Sequence, residues 1–301
     1  MDQAQQLRNI VKQSNIPKQN VISNSRVIAV TSGKGGVGKS NVSINLALHF
    51  QRMGKKVIIL DADFGLANIE VMFGIIPEYN LGDLIYNGKE ISQIITKGLS
   101  DVGFISGGSG IAKMVNLTNE QLRNVVLKLS ELEQLADIII IDTGAGISPS
   151  VLEFVASSPE VILVTTPEPT SVTDSYALLK ALTTYSGFDK ADTKIRVIAN
   201  RVSSSSEGDN LFEKLQAVVG RFLDLELDYV GFVPSDENIT RSVMKQKPVS
   251  IQYPNSAATK AFEGIAAKLL SDDSTESKPG GINRFFLNFF LFKKNKNKDK
   301  K

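Results

Sequence analysis

The chain contains no cysteine. A disulfide, a thiolate zinc site and an iron–sulfur cluster held by its own side chains are therefore excluded. Histidine is nearly as scarce: His49 is the only one, and a lone imidazole in a helical pattern reads as a helix-surface or boundary residue rather than a ligand. No apolar run reaches the ~18 residues that a membrane-spanning helix needs. The first ten residues are polar and lack the basic start and apolar stretch of a secretory signal, so the expected location is the cytoplasm. Net positive charge is missing from all but the tail. The last twenty residues hold seven of the 34 basic residues and one of the 32 acidic ones, which leaves −4 on everything before them and +6 on the tail. An acidic body argues against a broad nucleic-acid surface.

What is present is a long alternation of apolar runs with helical patterns. With 301 residues, 42% of them hydrophobic, the chain can bury a large core. Strands are expected at 27–31, 56–60, 102–105, 137–141, 161–165, 194–199 and 229–233. Most of these runs are continuously apolar, as strands covered on both faces are. Helices are expected at 41–53, 119–134, 149–156, 172–185, 211–222, 237–245 and 255–270. Gly54 suits the end of the first, and Thr118 with Gln121 forms a capping-box start for the second. The alternation implies βαβ units and an α/β fold with a mostly parallel twisted central sheet flanked by helices in three layers. One domain is expected over 26–270, preceded by a polar segment and linker at 1–25. A polar linker at 271–281 then leads to an apolar and polybasic tail at 282–301.

Between the first strand and the first helix lies GKGGVGKS, residues 33–40. The strand–loop–helix setting is what a phosphate-binding loop requires. Gly33, Gly35, Gly36 and Gly38 allow a turn tight enough for backbone N–H groups, that of Val37 among them, to converge on phosphate oxygens. The helix N-terminus, from Ser40 and Asn41 on, adds its donors and partial positive charge. Lys39 suits the β- and γ-phosphates, and the Ser40 hydroxyl suits Mg2+. This fold is thus expected to be a P-loop NTPase using ATP, ADP and Mg2+.

Carboxylates complete the site. LDADFGLAN places Asp61 and Asp63 at the carboxyl end of the second strand, the edge where open parallel sheets bind ligands. IIIIDTGAG presents Asp142 after four isoleucines, as a Mg2+-holding Walker B carboxylate is presented. Gly144 and Gly146 follow as a turn suited to sensing the γ-phosphate.

The two ends of the chain carry separate signals. In the N-terminal segment Leu7, Ile10 and Val11 fall at i, i+3 and i+4, the stripe of a short amphipathic helix over about 2–13, with Asp2 as its cap and Pro17 beyond its end. In the tail Ile282, Phe285, Phe286, Phe289, Phe290 and Phe292 form one broad apolar face, followed by Lys293, Lys294 and further lysines. A short apolar helix beside a lysine cluster suits an anionic membrane surface. The alternative is a helix packed on this protein or a partner; the polar linker before it and the polybasic end after it favour the membrane.

The loop GKGGVGKS, the segment DADFGLAN and the strand IIIIDTGAG together resemble the MinD/ParA class of P-loop ATPases with a deviant Walker A motif, over about 26–270. The resemblance gives Lys34 a role that phosphate cradling does not demand: crossing an ATP-dependent homodimer interface to touch the other subunit's nucleotide. It also implies that Asp63 orients the attacking water and that Asp61 lies in the Mg2+ water shell. Asn200 and Arg201 match the class's N-[RK] element at the adenine, and Val233, Pro234 and Asp236 match the segment that closes over the base. Absence of cysteine sets aside the iron–sulfur members, and a tail without tyrosine sets aside the tyrosine kinases.

Within the class, DQAQQLR at 2–8 resembles the activator segment of the flagellar-number regulators, the FlhG, YlxH and FleN branch. That resemblance implies that Asp2, Gln3, Ala4, Leu7 and Arg8 dock on the SRP-type GTPase FlhF and stimulate it. It further implies basal-body partners and reversible attachment to the inner face of the cell membrane. A division-site MinD ATPase, a DNA-partition ParA ATPase and a nucleotide-gated scaffold without turnover are the alternatives.

Overall fold

The computed structural model describes residues 25–63, 68–108, 119–185 and 187–272, with Gly281, Ile282, Phe285, Phe286 and Phe289 of the tail. The N-terminal segment with Asp2 to Arg8, Thr118, Phe290, Phe292, Lys293 and Lys294 lie outside the described residues.

Eight strands form one sheet: β1 (Arg26–Ser32), β2 (Val57–Ala62), β3 (Thr96–Lys97), β4 (Gly103–Ser106), β5 (Ile138–Ala145), β6 (Glu160–Thr165), β7 (Lys194–Val202) and β8 (Asp228–Pro234). Their order is β3-β4-β2-β5-β1-β6-β7-β8, and every pairing is parallel except the short β3–β4 edge. All seven expected strands are present. The two-residue β3 was not expected, because two residues carry no period.

Among the described residues the helices are α1 (Lys39–Arg52), α2 (Asn68–Phe73), α3 (Leu81–Tyr86), α4 (Ile91–Ile94), α5 (Asn119–Ser130), α6 (Leu132–Leu135), α7 (Pro149–Ser157), α8 (Pro169–Thr183), α9 (Ser205–Leu223), α10 (Glu237–Met244), α11 (Val249–Gln252) and α12 (Ala257–Ser271). The helix expected at 119–134 is broken at Glu131, where α5 ends and α6 starts. α9 begins six residues before the expected 211, at a Ser204 cap whose hydroxyl accepts from the Glu207 N–H. Its first turns, SSEGDN, are polar and leave no apolar stripe to detect.

Both sheet faces are covered, and strand parity shows how. Ile28, Val30, Ile59, Ile138 and Ile140 pack with α1 and α12 residues such as Leu46, Phe50 and Phe262. Their neighbours Val27, Ile58, Leu60, Ile139 and Ile141 pack on the opposite side with Leu81, Leu84, Leu129 and Phe154. Successive side chains of a strand point to opposite faces, so a continuous apolar run feeds two cores. All carboxyl ends of the central strands then fall on one edge, where the loop after β1 lies.

Candidate nucleotide site

Loop 33–38 leaves β1 and enters α1 through Gly38, which has φ +101°. A side chain there would be strained in backbone and would meet the Asn200 amide. No side chain caps α1 and its first turn holds no acidic residue. Its leading N–H groups are thus kept for an external anion. Gly33 is required for a different reason: a Cβ there would overlap the Asp174 carbonyl, because α8 lies directly against the start of the loop.

The two loop lysines point different ways. Lys39 is buried at 8% exposure, with Asp142 and Asp63 as its electrostatic partners; burial lowers its pKa and the two carboxylates oppose that shift. Lys34 lies on the rim. Its Nζ donates to Glu168 Oε2 at 2.6 Å and Thr170 Oγ1 at 2.8 Å, both at the N-terminal end of α8. The lysine that the class resemblance sends across a dimer interface is therefore held within its own chain here.

Register fixes the carboxylates. Asp61 of β2 and Asp142 of β5 are direct neighbours in the parallel ladder, and Val30 of β1 pairs with Asp142 on its other side. Asp142 is fully buried; its Oδ2 accepts from Ser40 Oγ at 2.6 Å and its Oδ1 from Ser43 Oγ at 2.7 Å. Burial raises its pKa against those two hydrogen bonds and Lys39. Asp61 accepts from the N–H groups of Asp63 and Ile69, each at 3.2 Å. Burial, and then the charge of Asp142, push its carboxyl up to about 7. Asp63 stands beside Gly144 and within 3.4 Å of the Asn68 amide.

Ser40, Asp61 and Asp142 offer the hard oxygen donors that Mg2+ takes, and two adjoining buried carboxylates with raised pKa are what a cation would relieve. The residues present fit the ion. Ser40 and Asp142 would hold it with Asp61 behind, and the ion would neutralise charge on the β- and γ-phosphates.

Among the residues expected at the adenine, Asn200 of β7 pairs in register with Val233 of β8, which brings Asn200, Arg201, Val233 and Pro234 to the same edge. The Asn200 amide serves the loop: Nδ2 donates to the Val37 carbonyl at 2.7 Å and Oδ1 accepts from the Arg201 N–H. Asp236 caps α10 through Asn238 N–H and accepts from Ala258 N–H at the start of α12. Its carboxylate thus anchors two helices. Val233 is fully buried.

Sequence reasoning missed Ser43, Glu168 and Thr170. Ser43 was legible as the residue one turn after Ser40 on the same helix face. Glu168 and Thr170 flank Pro169 at a strand-to-helix junction, a common cap pattern that does not announce a lysine partner.

The tail gave a result of its own. Ile282, Phe285, Phe286 and Phe289 are helical and buried against the body. Phe154 of α7 stacks on Phe285 at 6.0 Å and meets Phe289 at 4.4 Å between ring centroids. Four of the residues expected to face a membrane thus cover the apolar surface formed by α3, α5 and α7, since such a face is costly to leave in water.

A glycine loop opening an uncapped helix, an inward lysine and a serine bound to a strand-end carboxylate define a P-loop nucleotide-binding protein. The ParA family model, described as NUBPL iron-transfer P-loop NTPase, matches residues 23–270. The chain belongs to the ParA/MinD family of P-loop ATPases. Iron transfer through thiolates does not fit a chain without cysteine. The antiactivator FleN of Pseudomonas aeruginosa is 44% identical over 87% of this chain and 92% of its own length. The flagellum site-determining protein YlxH of Helicobacter pylori is 33% identical over 87% of this chain and 89% of its own. The septum site-determining protein MinD from Pyrococcus horikoshii, solved with Mg-ADP, shares the fold at a TM-score of 0.64 and 24% identity, covering 84% of this chain and 99% of that one.

Proposed function

We propose that this protein is an ATP-dependent dimerising ATPase that cycles on and off the cytoplasmic membrane and regulates the number and placement of flagella. The observation that carries the switch is the position of Lys34, on the rim and tied to Glu168 and Thr170, while Lys39 alone faces the carboxylates. A lysine with that placement is free to serve a nucleotide outside its own cradle once the exposed Glu168 pair is exchanged. The flagellar assignment is supported by the similarity to FleN and YlxH and by the DQAQQLR segment. Through that segment the protein would stimulate the SRP-type GTPase FlhF, with basal-body proteins as further partners.

ATP and Mg2+ would close a homodimer with Lys34 of each copy reaching the opposite nucleotide. The Gly144–Gly146 turn leads into α7 through Ser148, and α7 carries Phe154 under the tail. A shift of that turn towards a γ-phosphate would loosen the tail, and two tails on one dimer would hold anionic lipid together through avidity. Hydrolysis, with Asp63 orienting the water, would reverse the steps.

Asp63→Ala, with ATP and Mg2+, is expected to accumulate as a dimer that co-sediments with anionic vesicles, whereas the parent cycles off. Size-exclusion chromatography with light scattering reads the first and vesicle sedimentation the second. A variant that binds ATP yet remains a soluble monomer would overturn the cycle.

A further inference from the structure

The groove that holds the tail presents a problem once the tail leaves it. Phe154, Leu84, Val125 and Leu129 would face water, an apolar surface of the kind soluble proteins cover. A second segment with the same pattern begins beside that groove. Ser25, the first described residue after the N-terminal segment, is buried and donates from its hydroxyl to the Ala136 carbonyl just after α6. Its own carbonyl lies next to Gly281 at the root of the tail helix, with the Glu133 carboxylate on the other side. Both terminal segments therefore start from one point.

Pattern, reach and charge agree. The tail fills the groove with Ile282, Phe285 and Phe286 at i, i+3 and i+4; the N-terminal segment repeats that spacing in Leu7, Ile10 and Val11. From Val11 to Ser25 the connector reaches roughly 45 Å when extended, against a groove of about 12 Å for an eight-residue helix. Glu133 stands at the groove's root, and the segment brings Arg8 and Lys12. Aliphatic side chains fill less of the groove than phenylalanines, so the N-terminal segment is the weaker occupant and enters only when the tail is out.

We propose that the groove is an exchange dock: when the tail helix leaves, residues 4–11 of the same chain take its place. This rests on the tail release proposed above and adds a consequence. The segment that would engage a GTPase is available while the tail is docked and is withdrawn while the tail is on lipid. Activation of the partner and attachment to the membrane then alternate.

The lack of native cysteine makes the test direct. In the full-length protein, Val11→Cys is paired with Val126→Cys on α5 at the edge of the groove cluster, and a short bifunctional thiol cross-linker is applied. Two tail-out states are compared with the ADP state: the Asp63→Ala background with ATP and anionic vesicles, and a Phe285→Asp, Phe289→Asp background that ejects the tail without nucleotide or lipid. The cross-linked fraction is expected to rise several-fold in both, within single chains. No rise in the Phe285→Asp, Phe289→Asp background, equal cross-linking in all states, or cross-links only between chains would overturn the exchange. Vesicle sedimentation of the Asp63→Ala sample reports separately on tail release, so failure of that reading is distinguishable.

Discussion

His49 shows what a single buried titratable group does to this fold. It sits on α1, the helix that opens at the phosphate loop, and its Nε2 meets Ser250 Oγ of α11 at 3.1 Å. Asn45 and Arg52, on the same helix face, bind the Ser250 backbone N–H and carbonyl. Burial, reinforced by the charge of Arg52, lowers the His49 pKa from 6.5 to about 4. Between those values the unfolded chain carries a proton that the folded chain does not. Stability from this residue is therefore complete above its unfolded pKa and falls as pH drops towards 4. The loss is expected to reach about 2 kcal/mol between pH 7 and pH 5. His49→Gln, which keeps a hydrogen-bonding group for Ser250, is expected to remove most of that pH dependence in urea unfolding. An unchanged pH dependence in the variant would assign it elsewhere.

Phe154 couples two elements that the sequence presents as unrelated. Its helix, α7, starts at a Ser148 cap with Pro149 in the first turn, immediately after the Gly146 turn. Phe154, the sixth residue of that helix, meets the tail rings, so the turn and the tail are joined by less than two helical turns. Phe154→Ala removes a buried ring from this contact and is expected to cost about 3–5 kcal/mol of stability. It is also expected to let the protein bind anionic vesicles with ADP, where the parent does not. Vesicle sedimentation without ATP decides this, and a variant that stays off lipid would show that the tail is held by other contacts. The long elements were legible because each repeats a pattern: four isoleucines before Asp142, the stripe of α12, the glycine loop at α1. α2, α3, α4 and α11 were not, since four to six residues give barely one turn of periodicity. The tail was half legible. Its apolar face follows from Ile282 to Phe289, but a face of that kind says only that it will be covered, not by what.

At the scale of the molecule, the phosphate loop with its carboxylates and the described roots of the two terminal segments, Ser25 and Gly281, occupy opposite edges of one sheet. Asp61 and Asp142 lie in the carboxyl-terminal halves of β2 and β5, and the loop follows β1. Ser25 and the root of the tail lie at the other edge, where β1 begins. The site itself was largely legible, because strand-end carboxylates and a glycine loop must converge once the sheet is parallel. What was not legible is which groups the site already engages within the chain, such as Glu168 on Lys34 and Val37 on Asn200. Those bonds join residues 134 and 163 positions apart, and no local pattern encodes them.

This separation of edges makes the two proposed activities divisible by mutation. Removing residues 2–12 leaves every described contact of the loop, the carboxylates and Lys34 in place. The truncated protein is therefore expected to bind and turn over ATP like the parent, while losing its stimulation of an SRP-type GTPase. Phosphate release with ATP alone and with GTP plus the GTPase measures both in one preparation. If truncation abolished ATP turnover, the N-terminal segment would belong to the nucleotide site. If GTPase stimulation survived it, the contact would lie on the acidic body, and the DQAQQLR segment would need another role.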